Sequence, residues 1–284
     1  MSGSKKEKTC RLCKGDTYQL SVVGEFAHAQ RCDCAVTCTN CQGTGMVVRT
    51  INGDRVASPC RCNSLQRRVQ LFNEAHIPGK FMGSWIEDLE ETHRSQKEIK
   101  YRLLKYRESY RHTEAGFLLW GEPGVAKTHL LCGLIGHLTL ERGISCRFIE
   151  FMRLIMDLKH AYSKGQWDSE VIAPLLSTEV LVIDELGKGR NSDFELDILD
   201  QLISSRYNAQ RTIHCTSNYN PENSGEGRQP VDFSGSIEKA IYGQATIGLR
   251  ERVGDRIFSR LHEMCRFVQI QGTDYRTHRN RRSR

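Results

Sequence analysis

Residues 117–128 read FLLWGEPGVAKT, an apolar run followed by a glycine-containing loop that ends in a lysine and a threonine. The run predicts a short buried strand, and the apolar residues over 130–138 predict a helix directly after the loop. A strand, such a loop and a helix in that order are typical of a phosphate-binding loop, where backbone amides and the helix N-terminus surround the β- and γ-phosphates. Lys127 would neutralise the phosphate charge, and Thr128 would offer its hydroxyl to Mg²⁺.

The residues predicted to bind nucleotide are those of the loop and the start of its helix, namely Gly121, Glu122, Pro123, Gly124, Val125, Ala126, Lys127, Thr128 and His129. The loop departs from the pattern G-x-x-x-x-G-K-[ST] at one position, because Ala126 stands where glycine is usual. We expect the methyl group of Ala126 to restrict close approach of the phosphates and to lower the affinity for nucleotide.

Residues 180–185 read VLVIDE, a second apolar strand that ends in two carboxylates. At the carboxyl edge of a parallel sheet, these side chains would meet the phosphate loop. Asp184 would hold Mg²⁺ directly or through water, and Glu185 would orient and deprotonate the attacking water, a role that only hydrolysis requires. A further strand over 211–216 precedes Asn218, whose amide would contact the γ-phosphate or that water. The two motifs together predict an ATPase with ATP and Mg²⁺ as cofactors.

Eight of the twelve cysteines lie before residue 63, and the second four repeat the first four with an offset of 28 residues. They are Cys10, Cys13, Cys32 and Cys34, then Cys38, Cys41, Cys60 and Cys62. Four thiolates from two tight turns are the ligand set of a tetrahedral structural zinc, and a chain without an export signal keeps its thiols free to bind metal. The repeat therefore predicts two zinc ions per chain. An iron–sulfur cluster and an array of redox thiols fit the spacing less well.

A β-hairpin is predicted between the cysteine pairs of each copy, over 18–29 with a Gly24-Glu25 turn and over 46–57 with an Asn52-Gly53 turn. CTNCQGTG at 38–45 resembles the C-x-x-C-x-G-x-G unit of the DnaJ-type cysteine-rich domain. That resemblance implies an alternative pairing in which the ligand sets cross between copies. The crossed sets would be Cys10 and Cys13 with Cys60 and Cys62, and Cys32 and Cys34 with Cys38 and Cys41. The spacing leaves both pairings open.

The chain is predicted to contain a tandem zinc-ribbon domain over 1–62, a helical linker over 63–112, an ATPase domain over 113–276 and a basic tail over 277–284. Within the linker, apolar spacing predicts one helix around 65–72, a break at Pro78-Gly79 and a second helix over about 95–111. We interpret these helices as struts, with partner recognition as the alternative. A polar stretch over 220–248 predicts an inserted loop. The arginine-rich tail either contacts nucleic-acid phosphates or is solvated.

Composition narrows the class of protein. The chain has 284 residues, a formal net charge of +7 at pH 7 and 38% hydrophobic residues, and its mean hydropathy is −0.51. No apolar stretch reaches the roughly 18 residues of a membrane span, and the first residues lack the apolar core of a signal peptide. These features argue against a membrane-spanning or secreted protein and favour the cytoplasm.

The chain resembles the AAA+ ATPases, and within them the group that contains the DnaC/DnaI helicase loaders and the IstB transposition helpers. The matching stretches are AHIPGKF (75–81), LLWGEPGVAKTHL (118–130), LVIDELG (181–187), SSRYNAQRTIHCTSNYNP (204–221), DRIFSRL (255–261) and GTDYR (272–276). The resemblance implies an α/β fold with an AAA+ P-loop core and a parallel sheet, preceded here by the small zinc-binding hairpin domain. Eight residues follow 276, which leads us to expect no C-terminal helical lid domain.

The resemblance also implies roles for residues outside the two motifs. Asn218 looks like the sensor-1 residue, and Arg260 looks like the arginine finger that enters a neighbouring subunit's site. Arg256, four residues earlier on the same helix face, is the less favoured candidate. A guanidinium that meets the γ-phosphoryl charge from another subunit requires self-assembly into a ring or an open spiral. Sensor 2 is either missing or supplied by a residue such as Arg276.

By this resemblance, the protein is expected to be an ATP-dependent loader of the replicative DNA helicase. It would assemble with a hexameric helicase and single-stranded DNA, and hydrolysis of ATP would release the helicase, with the zinc module docking this client. Two alternatives stay open. One is an IstB-like transposition helper that acts on double-stranded DNA, and the other is a zinc-ribbon adaptor that binds ATP without turnover.

Overall fold

The computed structural model describes residues 10–35, 38–51, 53–60, 65–164, 169–222 and 247–275. The chain divides into two compact units, one of residues up to 83 together with 135–146, the other of 84–134 together with the residues from 147 onward. Cys62, Arg276, the 277–284 tail and most of the predicted 220–248 loop lie outside the described residues. The four-segment division of the sequence stays a prediction. In the described ranges, no helix combines the length and the apolar character needed to cross a membrane.

Two antiparallel hairpins open the first unit. Their strands are β1 (Tyr18–Val23) and β2 (Phe26–Arg31), then β3 (Met46–Ile51) and β4 (Asp54–Pro59). The φ angles of Gly24 and Gly53 are +60° and +92°, the left-handed conformation that two-residue hairpin turns require. The predicted hairpins are confirmed, and in both of them the second strand extends two residues further than expected.

α1 (Leu65–Glu74) follows the hairpins and buries Val69 and Phe72. The side chain of Asn73 accepts a hydrogen bond from the Ala29 amide at 2.7 Å and donates one to the Ala29 carbonyl oxygen at 3.0 Å. This side chain therefore bonds to β2 as a neighbouring strand would. The expected break at Pro78-Gly79 lies beyond the end of the helix, where a single 3₁₀ turn begins.

A five-stranded sheet is the centre of the second unit. Its strands are β5 (Gly116–Trp120), β6 (Cys146–Glu150), β7 (Val180–Asp184), β8 (Thr212–Ser217) and β9 (Cys265–Gln269), in the spatial order β6-β7-β8-β5-β9. The pairs β7–β8, β8–β5 and β5–β9 are parallel. β7 and β8 are buried along their whole length, as expected for strands covered on both faces. The predicted α/β fold with a parallel sheet is confirmed.

Helices connect these strands. In chain order they are α2 (Arg94–Ser109), α3 (Lys127–Leu140), α4 (Phe151–Ser163), α5 (Ser169–Ser177), α6 (Asp193–Asn208), α7 (Leu249–Val253) and α8 (Asp255–Met264). α2 begins one residue before its predicted start, at a capping box formed by His93 and Gln96. Leu154 of α4 and Leu202 of α6 belong to one buried apolar cluster with Ile183 of β7.

The strand order decides where the functional residues meet. β8 lies between β7 and β5, and parallel strands place their carboxyl ends at the same edge of a sheet. The residues that follow β5, β7 and β8 therefore share one edge, although they are far apart in the chain.

Candidate functional site

The phosphate loop, residues 121–126, joins β5 to α3 at this edge. Three of its residues have positive φ angles, +144° at Gly121, +86° at Gly124 and +76° at Ala126. The conformation at Ala126 gives a physical reason for the glycine that usually occupies this position, because left-handed backbone costs a residue with a Cβ about 1–2 kcal/mol. The loop therefore carries backbone strain at Ala126, its one departure from the usual pattern.

Lys127, the first residue of α3, folds its ammonium group back over the loop. Its Nζ donates hydrogen bonds to the carbonyl oxygens of Gly121 and Glu122, both at 2.8 Å, and only 6% of the residue is exposed. The positive charge therefore lies against the loop rather than in solvent. A phosphate held by the loop would meet this cation and the backbone amides at the start of α3.

Thr128 and Asp184 are in direct contact across the strand ends. Thr128 Oγ1 donates a hydrogen bond to Asp184 Oδ1 at 2.8 Å, and Asp184 also accepts one from Thr216 Oγ1 at 2.6 Å. A hydroxyl and a carboxylate at this distance, beside a phosphate loop, are oxygen ligands of the kind that Mg²⁺ takes together with phosphates and water. The donor set fits the chemistry of Mg²⁺, and the roles of Thr128 and Asp184 as its protein ligands stay a prediction.

Thr216 is a site residue that the sequence did not single out. Besides its bond to Asp184, its hydroxyl accepts a hydrogen bond from the Glu185 amide at 3.0 Å. The side chain of Thr216 therefore bonds both to the backbone of Glu185, the predicted catalytic base, and to the carboxylate of Asp184, the predicted metal ligand. Its position near the end of a strand, just before Ser217, was the signal that could have found it.

Two charged residues that the sequence also did not single out lie beside Glu185, which itself has a φ of +57° directly after β7. Lys188 Nζ forms an ion pair with Glu185 Oε2 and lies 3.8 Å from Glu150 Oε1. Burial, and then the charge of Glu185, raises the pKa of Glu150. The hydrogen bond with Glu185 raises the pKa of Lys188. The predicted base is therefore held by a cation of its own chain.

Asn218 follows β8 and is exposed, and the predicted arginine finger lies on α8. Arg260 Nη1 donates hydrogen bonds to Asp200 Oδ1, at 3.0 Å, and to Ser204 Oγ, both on α6. Arg256 reaches the same Asp200 oxygen at 3.5 Å. These polar contacts are with α6 of the same chain, and a role for either arginine in a neighbouring site stays a prediction.

The segment after β9 returns to the phosphate loop. The Tyr275 amide donates a hydrogen bond to the Gly124 carbonyl oxygen at 3.0 Å, and a Cβ on Gly124 would collide with the carboxylate of Asp274. The rings of Tyr275 and His129 have centroids 6.1 Å apart, and His129 Nε2 lies 3.1 Å from the Trp85 carbonyl oxygen. The GTDYR stretch thus borders the nucleotide loop.

Gln96 links the start of α2 to the same loop. Its Nε2 donates a hydrogen bond to the Val125 carbonyl oxygen at 3.3 Å, and its Oε1 accepts one from the Thr92 amide at 2.7 Å. The residue is 1% exposed. A single buried glutamine has no sequence signature, so only the structure connects this helix with the predicted nucleotide site.

In the first unit, the cysteines group within their own copies of the repeat. The sulfur atoms of Cys10, Cys13, Cys32 and Cys34 lie within 4.8 Å of one another, and so do those of Cys38, Cys41 and Cys60. Tetrahedral Zn–S bonds of about 2.3 Å place sulfur atoms about 3.8 Å apart. The Sγ atoms are 3.8 Å apart in Cys10–Cys32, 3.3 Å in Cys13–Cys34 and 3.9 Å in Cys38–Cys60.

Both groups fit zinc in ligand chemistry and spacing, with Cys62, outside the described residues, as the predicted fourth ligand of the second group. Among the cysteines that the structure describes, those of the same copy lie together, and those of the crossed sets do not. Backbone hydrogen bonding, and then the side chain of Gln19, lowers the pKa of Cys32 to about 6. Backbone hydrogen bonds also lower the pKa of Cys10, whereas a side-chain hydrogen bond with Cys13 raises the pKa of Cys34. The lowered pKa values of Cys10 and Cys32 favour the thiolate, which is the form that binds metal.

A protein-family model described as IstB-like ATP binding protein matches residues 66–225, more than half of the 284-residue chain. The chain belongs to this family. The matched range contains the phosphate loop, both carboxylates after β7 and Asn218, so the expected family resemblance is confirmed.

Curated relatives of this IstB-like protein include replicative helicase loaders named DnaC. One from Buchnera aphidicola subsp. Acyrthosiphon pisum is 24% identical over 217 residues, which cover 76% of this chain and 82% of the relative. One from Buchnera aphidicola subsp. Schizaphis graminum is 24% identical over 160 residues, which cover 56% of this chain and 65% of the relative, just under two thirds of its length. The crystal structure of the DnaC helicase loader matches with a TM-score of 0.55 and 25% identity, over 68% of this chain and 99% of that chain. The expected AAA+ P-loop core is confirmed.

Proposed function

We propose that this IstB-like protein is an ATP-dependent loader of a replicative DNA helicase, which assembles with its client and single-stranded DNA and hydrolyses ATP to release the client. The proposal rests on the contact of Thr128 with Asp184 beside the phosphate loop, in a chain whose relatives are named helicase loaders. Since the proposed client acts on DNA, the protein would work in the cytoplasm. Its assembled form would be a ring or an open spiral.

In this proposal, Lys127 and the amides of residues 121–129 hold the phosphates of ATP. Thr128 and Asp184 hold Mg²⁺, which when bound neutralises charge on the phosphate oxygens. Thr216 keeps the Asp184 carboxylate turned toward Thr128, because it donates a hydrogen bond to the same oxygen. Each of these residues acts by orienting charge before nucleotide arrives, which costs no reorganisation during the reaction.

The proposal also assigns roles in ATP hydrolysis. Glu185 would orient a water molecule and accept its proton, and Asn218 would contact that water or the γ-phosphate. Arg260 would act from a neighbouring subunit, and it would then have to exchange its contact with Asp200 for one with the γ-phosphoryl group. Lys188, which pairs with Glu185, would control how freely the carboxylate reaches the water.

The cysteine groups would each hold one zinc ion and thereby fix the two hairpins, which would dock the helicase. Apolar side chains are exposed on the hairpins and on the cysteine turns beside them. Leu12, between Cys10 and Cys13, is 71% exposed, and Val48 of β3 is 54% exposed. Exposed apolar side chains on a small metal-bound module are suited to a protein partner.

The test is capture of the client by the full-length chain, from lysate of its own host, with ATP and Mg²⁺. Glu185→Gln should bind ATP but hydrolyse it at least about 100-fold more slowly, so it should retain more client than the wild type. Lys127→Ala should bind no ATP and retain the least. Recovery of a hexameric helicase in this order supports the loader function, whereas its absence from all three samples contradicts it.

A second candidate is a transposition helper on double-stranded DNA, which is favoured by the description of the matching family as IstB-like. Recovery of a transposase, together with tighter binding of double-stranded than of single-stranded DNA, would support it in place of the loader. ATP binding without measurable turnover in the wild type would support an adaptor instead, with the strained Ala126 as the first place to examine.

A further inference from the structure

α2 presents two chemically different faces. Its buried face consists of Gln96, Ile99, Leu103 and Tyr106, all less than 5% exposed. Its exposed face contains four cations around one aromatic ring, and we call Arg94, Lys97, Tyr101, Arg102 and Lys105 the basic face of α2. Lys97, Tyr101 and Lys105 are spaced at i, i+4 and i+8, so they form a stripe about 12 Å long on one side of the helix.

Other cations of the same helix contribute to the fold. Lys100 Nζ pairs with Glu91 Oε1 at 3.0 Å, and Arg107 Nη2 pairs with Glu87 Oε1 at 2.5 Å. Both side chains are largely covered, with 17% and 15% of their surface exposed. The ion pairs of Lys100 and Arg107 stabilise the fold, so the presence of these two cations does not require a ligand.

The cations of the basic face have no such explanation. Within the part of the chain that the structure describes, the side chains of Lys97, Arg102 and Lys105 make no hydrogen bond or ion pair. Arg94 has one acidic neighbour, Glu98, at 2.8 Å, and that pair is exposed on both sides. Exposed pairs of this kind contribute little to stability. The basic face is thus a set of cations that the folded chain itself does not use.

Tyr101 lies in the middle of these cations and is 68% exposed. A ring in this position loses the stabilisation that burial would give it, but it offers a flat surface on which any nucleic-acid base can stack. Cations that bind phosphates, combined with an exposed ring that accepts a base, are typical of sites for single-stranded nucleic acid. A membrane surface would require further large apolar side chains, which the basic face lacks.

We propose that the basic face of α2 is a binding surface for single-stranded nucleic acid, on which Lys97, Arg102 and Lys105 contact phosphates and Tyr101 stacks on a base. The inference rests on the proposed function, which requires single-stranded DNA, and it names the surface that binds the strand. In the first turn of this helix, the side chain of Gln96 donates a hydrogen bond to the Val125 carbonyl oxygen of the phosphate loop. A strand on the basic face would therefore contact a helix that is fixed to the nucleotide site.

The test measures fluorescence anisotropy of a labelled oligothymidylate with the full-length chain and ATP, over a range of salt concentrations. Lys97→Ala combined with Lys105→Ala should weaken binding at least about tenfold. It should also reduce the slope of log affinity against log salt by about 1.4, because each single-strand phosphate contact contributes about 0.7. Glu98→Gln removes the acid from the same surface, so it should tighten binding and is the matched control of opposite sign.

Two substitutions of Tyr101 distinguish base stacking from general apolar contact. Tyr101→Leu keeps an apolar side chain and should weaken binding about tenfold, whereas Tyr101→Phe keeps the ring and should bind like the wild type. All of these side chains are exposed, so the variants should unfold at the wild-type temperature. Unchanged affinity in both the double lysine variant and Tyr101→Leu overturns the proposal.

Client capture separates this inference from the proposed function. If the Lys97→Ala, Lys105→Ala double variant loses oligonucleotide binding but still captures helicase, the basic face is supported as the nucleic-acid surface. If the double variant still binds oligonucleotide but no longer captures helicase, the face binds an acidic protein surface. That result overturns the inference, while the loader function stands. Wild-type protein that captures helicase but binds no oligonucleotide also overturns the inference.

Discussion

The backbone amide of Tyr275 donates a hydrogen bond to the carbonyl oxygen of Gly124, with 3.0 Å between nitrogen and oxygen. The neighbouring Asp274 places its carboxylate where a side chain of Gly124 would be. The C-terminal end of the described chain therefore fills the space beside the phosphate loop. Two independent features require glycine at position 124. Its φ is +86°, and the Asp274 carboxylate approaches too closely to leave room for a Cβ.

Gly124→Ala is predicted to abolish nucleotide binding, because the new methyl group must displace Asp274 and thereby the segment that borders the loop. Titration with a fluorescent ATP analogue measures the effect. Gly254→Ala is the matched control, since Gly254 has a similar φ of +83° but a Cβ added there would meet no atom within 4 Å, and this variant should bind nucleotide normally.

The double variant Gly124→Ala with Asp274→Ala separates contact from backbone strain. Removal of the carboxylate should restore part of the nucleotide affinity, because only the strain of left-handed backbone then remains. If the double variant binds no better than Gly124→Ala alone, the contact with Asp274 is not the cause.

Ala126→Gly is predicted to raise the free energy of unfolding by about 0.5–1 kcal/mol, because it relieves a φ of +76° at a residue with a Cβ. Nucleotide affinity should rise as well, since the loop loses a methyl group beside the phosphates. Urea unfolding and nucleotide titration measure the two effects. Ala209→Gly, at a φ of −83°, gains no such relief and should be neutral or destabilising.

Arg260→Ala is predicted to lower ATP turnover by at least about 100-fold if the guanidinium acts in a neighbouring site. Mixing it with Lys127→Ala in equal amounts should restore up to about a quarter of the wild-type rate, because a quarter of the interfaces then combine an intact loop with an intact arginine. A mixture as inactive as its components would limit Arg260 to its pair with Asp200.

Elemental mass spectrometry is predicted to find two zinc ions per chain. Replacing Cys10, Cys13, Cys32 and Cys34 together by serine should leave one, because the other cysteines form a group of their own. Loss of both ions in that variant would favour the crossed ligand sets. Cys132→Ser, at a buried position of α3 that is not part of the repeat, should keep two.

His214 is predicted to make the protein less stable in acid. Burial, and then the charge of Arg206, lowers the pKa of His214 to about 3, and its Nδ1 accepts a hydrogen bond from the Phe117 amide at 3.0 Å. The unfolded chain binds this proton near pH 6.5, so the stabilisation is complete above that pH. It is lost as the pH falls toward 3, by up to about 1.4 kcal/mol per pH unit.

Urea unfolding at several pH values between 4 and 8 measures this effect. His214→Gln keeps a hydrogen-bond acceptor but not the titration, so its stability should depend less on pH than that of the wild type. His160→Gln, at an exposed position, should behave like the wild type. Equal pH profiles for wild type and His214→Gln would assign the acid sensitivity to other groups.

Features that depend on consecutive residues were predictable. The order of strand, loop and helix over 117–138, the carboxylates after 180–183 and the paired cysteines are all local patterns, because hydrophobic period, loop length and ligand spacing are properties of adjacent residues. The fold class and the family resemblance followed from them and are confirmed. Element ends were less accurate, as at α2, which ends at Ser109 and not at 111.

Features that join distant residues were decided by tertiary structure alone. The bridge from Thr216 to Asp184 and Glu185, the link from Gln96 to Val125 and the cover of Gly124 by Asp274 have no period or spacing that marks them in the chain. The choice between two cysteine pairings was open for the same reason. Each of these contacts depends on which strands and turns become neighbours, and that follows from packing of the whole chain. The sequence by itself determined only which residue types could form such contacts.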